Sequence, residues 1–204
     1  DEKAMVEQLR LGTLDATVVA SDILVGFAPD FAAVGLPFAF TSYPHAHKFL
    51  DGAGGKLLFS KLEAIGIKGL GFIDTGFRSI GNNTRPITVP EDLKGMKIRV
   101  IPSQLVIDTQ KAMGSNPIPI AWAETISALK QGVVDGVETG NSYYYTARLW
   151  EYTKYWSYTN HLYTANVVLM SKRTFDRLTK DEQQAVTAAA SEAVPVARKY
   201  VGDL

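Results

Sequence analysis

The spacing of apolar residues along this chain switches between three to four residues and two, which predicts alternating helices and strands. One face of an opening amphipathic helix is formed by Met5, Val6, Leu9 and Leu11. Short apolar runs bounded by turn residues predict strands over residues 15–20, 68–73, 78–83, 133–138 and 166–170. This alternation of elements favours an α/β fold.

Capping residues and glycines mark the ends of the predicted helices. Ser103 is expected to cap a helix that stops at Gly114. Thr179 and Glu182 have the spacing of a capping box ahead of a long final helix. Further helices are predicted over residues 44–58, 57–65, 121–131 and 142–155.

Arg99 stands out within a short strand-like run over residues 96–101. Met96, Ile98 and Val100 alternate onto one face of that strand, so Arg99 points to the other face. A guanidinium is costly to bury unless an anion meets it, and its shape suits a carboxylate. The sequence therefore predicts a carboxylate-binding arginine, with a solvated arginine on an open sheet face as the alternative.

Composition and charge exclude several classes of function. The chain has 204 residues, with 21 basic and 21 acidic side chains, so no basic surface for nucleic acid is expected. It contains no cysteine, which excludes disulfides and thiol catalysis. No apolar run approaches the roughly 18–20 residues that a membrane-spanning helix needs.

Motifs of known catalytic and cofactor chemistry are absent from the sequence. No dinucleotide-binding glycine motif, P-loop or nucleophile elbow occurs, so no cofactor is expected. The histidines, His161 included, lack metal-binding spacing and are interpreted as ordinary surface or capping residues, so no metal is expected. The acidic residues Glu124, Asp135 and Glu138 would have to pair in space to act in an enzyme. Helix solvation for Glu124 and turn formation at Asp135 are the favoured uses, so the sequence gives little support for an enzyme.

Two arginines and a group of aromatic residues are the positive signals. Arg78 and Arg99 each lie on or beside a predicted strand, and together they would form a carboxylate clamp. The alternative is that each arginine pairs with an acid of the protein. Aromatic residues would wall a small-ligand cleft or fill a core: Trp122, Tyr143, Tyr144, Tyr145, Trp150, Tyr152, Tyr155 and Trp156.

Several segments carry a family resemblance. They include LPFAF at residues 36–40, GFR at 76–78, VPEDLKGMKIRV at 89–100, GVVDGVE at 132–138 and LTKDE at 178–182. In this order they resemble the solute-binding proteins of tripartite ATP-independent periplasmic (TRAP) transporters, the DctP-like family. The resemblance covers nearly the whole chain.

The resemblance implies roles for three residues of the second lobe. Arg99 is expected to make a bidentate bond to the carboxylate of the ligand, and Arg78 to be a second basic contact. Trp122 lies where family members often place an aromatic ring against the ligand. No catalytic residue is implied.

Four more residues are candidates for ligand contacts by the same resemblance. Thr139 or Asn141 is expected to supply a polar contact, at a place where the family often has Asn-Pro. Ser21 and Asp22 are expected in a loop where the first lobe touches the far end of the ligand. Asp22 would accept from a hydroxyl or an amine, or would cap a helix.

The implied fold is a two-lobed periplasmic-binding-protein-like α/β fold, with a hinge and a ligand cleft between the lobes. Residues 1–76 and 165–204 are expected to form lobe I, and residues 77–164 lobe II. Family members are longer, so the fold is expected to be incomplete at both termini.

The implied function is periplasmic capture of a small organic acid and its delivery to the integral-membrane subunits of a TRAP transporter. Closure of the lobes around the acid would remove water and strengthen the ion pair. Two alternatives are an enzyme acting on a small carboxylate and the effector-sensing domain of a regulator.

Overall fold

The computed structural model describes residues 1–203, which form two compact units. Unit 1 contains residues 1–33, residues 40–74 and the chain from residue 165 onward. Unit 2 contains residues 34–39 and 75–164. The lobe boundaries expected from the sequence stay a prediction.

Helices and strands alternate along the chain, as the spacing of apolar residues predicts. The α-helices are α1 (Glu2–Leu11), α2 (Ser21–Leu24), α3 (Tyr43–Leu50), α4 (Ala53–Glu63), α5 (Gln104–Ala112), α6 (Thr125–Lys130), α7 (Asn141–Thr146), α8 (Lys172–Arg177) and α9 (Lys180–Gly202). The strands are β1 (Ala16–Ala20), β2 (Ile67–Asn82), β3 (Lys97–Val100), β4 (Asn116–Pro119), β5 (Gly136–Gly140) and β6 (Tyr155–Ser171). Short 3-10 helices span Pro29–Ala33, Pro90–Leu93, Trp122–Glu124 and Leu149–Glu151.

Unit 1 packs helices around β1 and the parts of β2 and β6 that belong to it. β1 pairs antiparallel with β6, from Ala16 opposite Met170 to Ala20 opposite Asn166, and β6 neighbours β2. The core is formed by buried aliphatic and aromatic side chains, among them Val6, Leu9, Val19, Leu24, Phe31, Leu58, Leu62 and Leu169. Burial of these side chains supplies the main driving force for folding of this unit.

Unit 2 contains three parallel strands. In the order of strands, β2 is followed by β5, β3 and β4. β5 is antiparallel to β2 but parallel to β3, with Arg99 opposite Val137, and β3 is parallel to β4. The carboxyl ends of β5, β3 and β4 therefore lie at one edge of the sheet, where open α/β sheets commonly bind ligands.

Local signals predicted the helix ends well. Thr179 and Glu182 form the expected capping box: the Thr179 hydroxyl oxygen accepts from the Glu182 amide, and Glu182 accepts from the Thr179 amide at 2.7 Å. Gly114 and Gly132, the expected helix stops, have φ values of 95° and 67°. Glycine adopts this left-handed conformation at little cost, which confirms both stops.

Strand lengths were predicted less well. The strands expected over residues 68–73 and 78–83 are one continuous strand, β2, and the turn-like residues Asp74 and Thr75 lie buried within it. β6 begins at Tyr155, eleven residues before the strand predicted over 166–170. Pairing with neighbouring strands extends both strands beyond the short apolar runs that predicted them.

Three helix predictions need correction. The chain expected to be helical over residues 44–58 and 57–65 does form two helices, α3 and α4, but the break between them lies at residues 51–52. The helix expected over residues 121–131 is a 3-10 turn, Trp122–Glu124, followed by α6. The helix expected over residues 142–155 is the short α7, then the 3-10 turn Leu149–Glu151, and its last residue already belongs to β6. Within residues 1–203, no helix is long and apolar enough to cross a membrane.

Candidate functional site

The candidate site lies in unit 2, at the carboxyl ends of the parallel strands. Arg99 lies on β3, Trp122 follows β4, Thr139 lies on β5 and Asn141 follows β5. Four of the predicted site residues therefore come from three neighbouring strands and the segments that leave them. Residues this far apart in sequence reach one edge because the strands run parallel.

Arg99 is buried, with only 2% of its surface exposed, so the alternative of a solvated arginine is wrong. Its Nε donates to the carbonyl oxygen of Ile120 at 2.9 Å, which fixes the plane of the guanidinium. Its central carbon lies 5.3 Å from the ring centroid of Trp122, within the range of a cation–π contact. The chain thus holds a positive charge in a defined orientation, away from bulk water.

Trp122 belongs to an aromatic group of which half packs against a core. Its ring lies 4.9 Å from the ring of Tyr143, with the planes tilted by 59°. Tyr144, Tyr152 and Trp156 pack against the cluster around Val137 and Leu149. Half of the eight aromatic residues, Trp122 included, therefore pack against a core, whereas Tyr145, Trp150 and Tyr155 are exposed. Trp122 also contacts the arginine.

Arg78 forms a buried ion pair with Glu138. Both ends of the carboxylate are bound: Nε donates to Oε1, and Nη2 donates to Oε2 at 2.6 Å. Arg78 also lies 3.4 Å from the hydroxyl of Thr164 through Nη1. Arg78 thus pairs with an acid of the protein, which was the alternative to a ligand contact. A contact between Arg78 and a ligand stays a prediction.

Glu138 remains ionised over a wide pH range. Its complete burial would raise its pKa, but the charge and hydrogen bonds of Arg78, with a smaller contribution from His161, outweigh this and lower the pKa to about 2. Glu138 sits on β5 one residue before Thr139 and directly opposite Ile80 of β2. The negative charge of Glu138 therefore balances the positive charge of Arg78 at a place that solvent does not reach.

The prediction of His161 as an ordinary surface or capping residue is wrong. It is fully buried on β6, not a surface or capping residue. Its Nδ1 lies 2.8 Å from the Thr159 hydroxyl, and its Nε2 lies 3.2 Å from Gln110 and 3.5 Å from Glu138. Its place in this polar network depends on the length of β6, which the local pattern underestimated.

Thr139 and Asn141 flank the end of β5. Thr139 is buried and lies opposite Ser79 of β2. Asn141 begins α7, and its Nδ2 donates to Oδ1 of Asn160 at 2.9 Å. Asn160 has a φ of 46°, a conformation that asparagine tolerates better than most residues.

Ser21 and Asp22 belong to unit 1, whereas the other five predicted site residues belong to unit 2. They do not lie in a loop: they open the helix α2, and both are buried. The N-cap of that helix is Ala20, so the alternative role of Asp22 as its cap is wrong. Ligand contacts for Ser21 and Asp22 stay predictions.

Comparison with known proteins places the chain in a family. Residues 1–204 match the family model of bacterial extracellular solute-binding proteins, family 7, named DctP. The 2,3-diketo-L-gulonate-binding periplasmic protein YiaO of Escherichia coli K12 is 36% identical over 201 residues, covering 98% of this chain and 61% of the relative. The C4-dicarboxylate-binding periplasmic protein DctP of Rhodobacter capsulatus is 36% identical over 200 residues, covering 96% of this chain and 59% of the relative.

A solved structure agrees with these relatives. A TRAP periplasmic solute-binding protein from Sulfitobacter sp. NAS-14.1, with bound β-D-galacturonate, matches with a TM-score of 0.95 and 39% identity. The match covers 98% of this chain and 67% of that protein. The chain spans about three fifths of the length of the two curated relatives above.

This chain belongs to family 7 of the bacterial extracellular solute-binding proteins. The resemblance to TRAP solute-binding proteins and the α/β fold class expected from the sequence are both confirmed. The named relatives of the family are binding proteins, and two of them are named as periplasmic.

Proposed function

We propose that the protein binds a small organic acid in the periplasm and delivers it to the integral-membrane subunits of a TRAP transporter. The observation that carries the proposal is Arg99, a buried cation at the carboxyl ends of three parallel strands. Family membership supports the transport role, and the two curated relatives are named for acids that they bind.

The chemistry of Arg99 selects an anion. A buried guanidinium is stabilised by an ionised partner far more than by a neutral one, because the surroundings screen the charge weakly. The bond from its Nε to the Ile120 carbonyl and the contact with Trp122 restrict its motion. A restricted arginine loses little entropy when a carboxylate binds, and this favours affinity.

The proposed mechanism is capture without bond breaking. Binding of the acid shifts the conformational equilibrium toward the ligand-bound form, to the extent that the acid binds this form more tightly than the other. The membrane subunits recognise that form and accept the acid. Trp122 contributes an apolar wall, and Thr139 and Asn141 contribute polar groups beside the carboxylate.

The test is calorimetric titration of the purified protein with D-galacturonate, 2,3-diketo-L-gulonate and succinate, and with the methyl ester of D-galacturonate as a neutral control. At least one free acid should bind, and the ester should not. Arg99→Met should weaken binding of every acid by about 30-fold or more, since losing one partner of a buried charge pair costs about 2 kcal/mol at least.

A matched control is Arg148→Met, because Arg148 is an exposed arginine of the same unit, 68% accessible at its side chain. It should leave every affinity unchanged. Retention of acid binding by Arg99→Met, with the variant still folded by circular dichroism, would move the site away from Arg99. Equal binding of the ester and the acid would refute carboxylate recognition.

A further inference from the structure

We infer that the Ser103 hydroxyl, together with the side-chain oxygen of Asn141, binds hydroxyl groups of the ligand. The acid that this protein prefers would then be polyhydroxylated, and a simple dicarboxylate would bind more weakly. The inference rests on the proposed function, because it places these two groups beside the carboxylate that Arg99 binds.

Ser103 occupies a capping position without acting as a cap. It is the N-cap residue of α5 and was expected to bind the first amides of that helix, but its side chain makes no such bond. Ser42 and Thr179, the N-caps of α3 and α9, do accept from amides of their helices. Ser103 therefore has a capping residue's position and backbone but not its usual hydrogen bond.

The hydroxyl of Ser103 is also buried. The residue is 5% exposed, and its Oγ has no hydrogen-bond partner among residues 1–203. A buried polar atom that forms no hydrogen bond is rare in proteins, because it loses its contacts with water and gains nothing in return. Such an atom next to a binding site is accounted for if the ligand supplies its partner.

Asn141 presents a second buried oxygen. Its Nδ2 donates to Oδ1 of Asn160, and its own Oδ1 has no partner within the described part of the chain. Ser79 supports this orientation of the Asn160 side chain, because the Ser79 hydroxyl donates to Asn160 Oδ1 and accepts from the backbone N–H of Asn160, both at 3.4 Å. Asn141 Oδ1 is therefore an acceptor that needs a donor.

The strand arrangement brings these groups to the same edge as Arg99. Ser103 lies four residues after Arg99, just beyond the end of β3, and Asn141 lies just beyond the end of β5. β3 and β5 are paired neighbours, and paired strands lie about 4.8 Å apart. The strand order therefore places both oxygens at the edge where Arg99 is proposed to hold the acid, and we expect the bound acid to meet both of them.

The two oxygens distinguish a hydroxyl from a second carboxylate. A hydroxyl group can donate to Asn141 Oδ1 and can also accept from the Ser103 hydroxyl. An ionised carboxylate only accepts, so it would leave Asn141 Oδ1 buried beside a negative charge. A sugar acid satisfies both groups, whereas succinate does not.

The experiment measures dissociation constants of D-galacturonate and succinate for the wild-type protein and for Ser103→Ala. Wild-type protein should bind D-galacturonate more tightly than succinate. Ser103→Ala should weaken D-galacturonate binding by about tenfold, the loss of one hydrogen bond. Succinate affinity should change less than about twofold, and the unfolding midpoint without ligand should not fall, since no protein hydrogen bond is lost.

Ser42→Ala is the matched control, because the same atoms are removed from a serine that does cap its helix, where the hydroxyl accepts from the His45 amide at 3.3 Å. It should lower the unfolding midpoint and leave both affinities unchanged. The inference is overturned if Ser103→Ala leaves D-galacturonate binding unchanged, weakens both acids equally, or if wild-type protein prefers succinate. Those outcomes leave the proposed function intact, which is supported separately if Arg99→Met loses succinate binding and Ser103→Ala keeps it. A wild-type protein that binds neither acid overturns the inference, and one that also fails to bind 2,3-diketo-L-gulonate overturns the proposed function.

Discussion

Replacing Glu138 by glutamine should destabilise unit 2 severely. Glu138 is fully buried, and it binds the guanidinium of Arg78, which is 2% exposed, through both carboxylate oxygens. Glutamine keeps the shape of the side chain but removes the charge, so the buried guanidinium loses its compensating anion. Removing one partner of a buried ion pair costs about 3–5 kcal/mol.

The lowered pKa of Glu138 makes the effect of this substitution depend on pH. The pKa is lowered from 4.5 to about 2, because Arg78 outweighs the effect of burial. A pKa lowered this far corresponds to stability on the order of 3 kcal/mol at neutral pH. Since the folded-state pKa is the lower one, this stability is present above about pH 4.5 and is lost as the pH falls toward 2.

Tryptophan fluorescence during urea unfolding is the appropriate assay. All three tryptophans, Trp122, Trp150 and Trp156, lie in unit 2, so their emission reports on the unit that contains the ion pair. At pH 7 the Glu138→Gln variant should lose about 3–5 kcal/mol of unfolding free energy. The difference from wild type should shrink as the pH is lowered from about 4.5 toward 2.

Two further variants test whether the loss of stability comes from the uncompensated buried charge. Glu151→Gln removes an acid that pairs with Arg148 on the surface of the same unit, and it should cost less than about 0.5 kcal/mol. Replacing Arg78 and Glu138 together by methionine should recover most of the stability lost in Glu138→Gln, because no uncompensated charge remains. A loss below about 1 kcal/mol for Glu138→Gln, or a loss independent of pH down to 2, would contradict the account of this pair.

Three other substitutions test the fold. Thr179→Ala should cost about 1 kcal/mol in urea unfolding followed by circular dichroism, because α9 loses its capping bond; an unchanged midpoint would show that the cap adds nothing. Gly136→Ala should lower the melting temperature clearly, since the new methyl group would lie 2.3 Å from the Gly81 carbonyl oxygen. An unchanged melting temperature would contradict this close approach of β5 and β2. The hydrogen bond from Arg198 lowers the pKa of Asp51, but the Asp51 side chain is 57% exposed, so solvent screens this ion pair. Asp51→Asn should therefore cost less than about 1 kcal/mol of unfolding free energy, and a larger loss by calorimetry would show that the pair is not screened.

The parts of the fold that sequence could predict depend on neighbours in the chain. The capping box of Thr179 and Glu182 involves residues three apart, and the stops at Gly114 and Gly132 need only the freedom of glycine to adopt positive φ. The strand around Arg99 was visible because its apolar residues alternate over a few positions. Such signals survive in a sequence because they act within one turn of helix or one short strand.

The candidate site was predictable only in part. Arg99 and Trp122 were identified in advance, and their contact at 5.3 Å is consistent with a shared site. Ser103 was expected only to cap a helix, and no pattern showed that its hydroxyl would be buried without that bond. Whether a polar atom has a partner depends on atoms brought close by folding, which spacing along the chain does not reveal.

The sequence by itself determined the α/β class, most helix ends, the family and the arginine on β3, because these follow from local spacing and from motifs. Only the tertiary structure decided that β2 is one strand, that Arg78 pairs with Glu138 sixty residues away, and that His161 is buried beside them. The physical reason is that strand pairing and buried ion pairs join residues far apart in sequence. Their free energy depends on desolvation and geometry that exist only once the chain has folded.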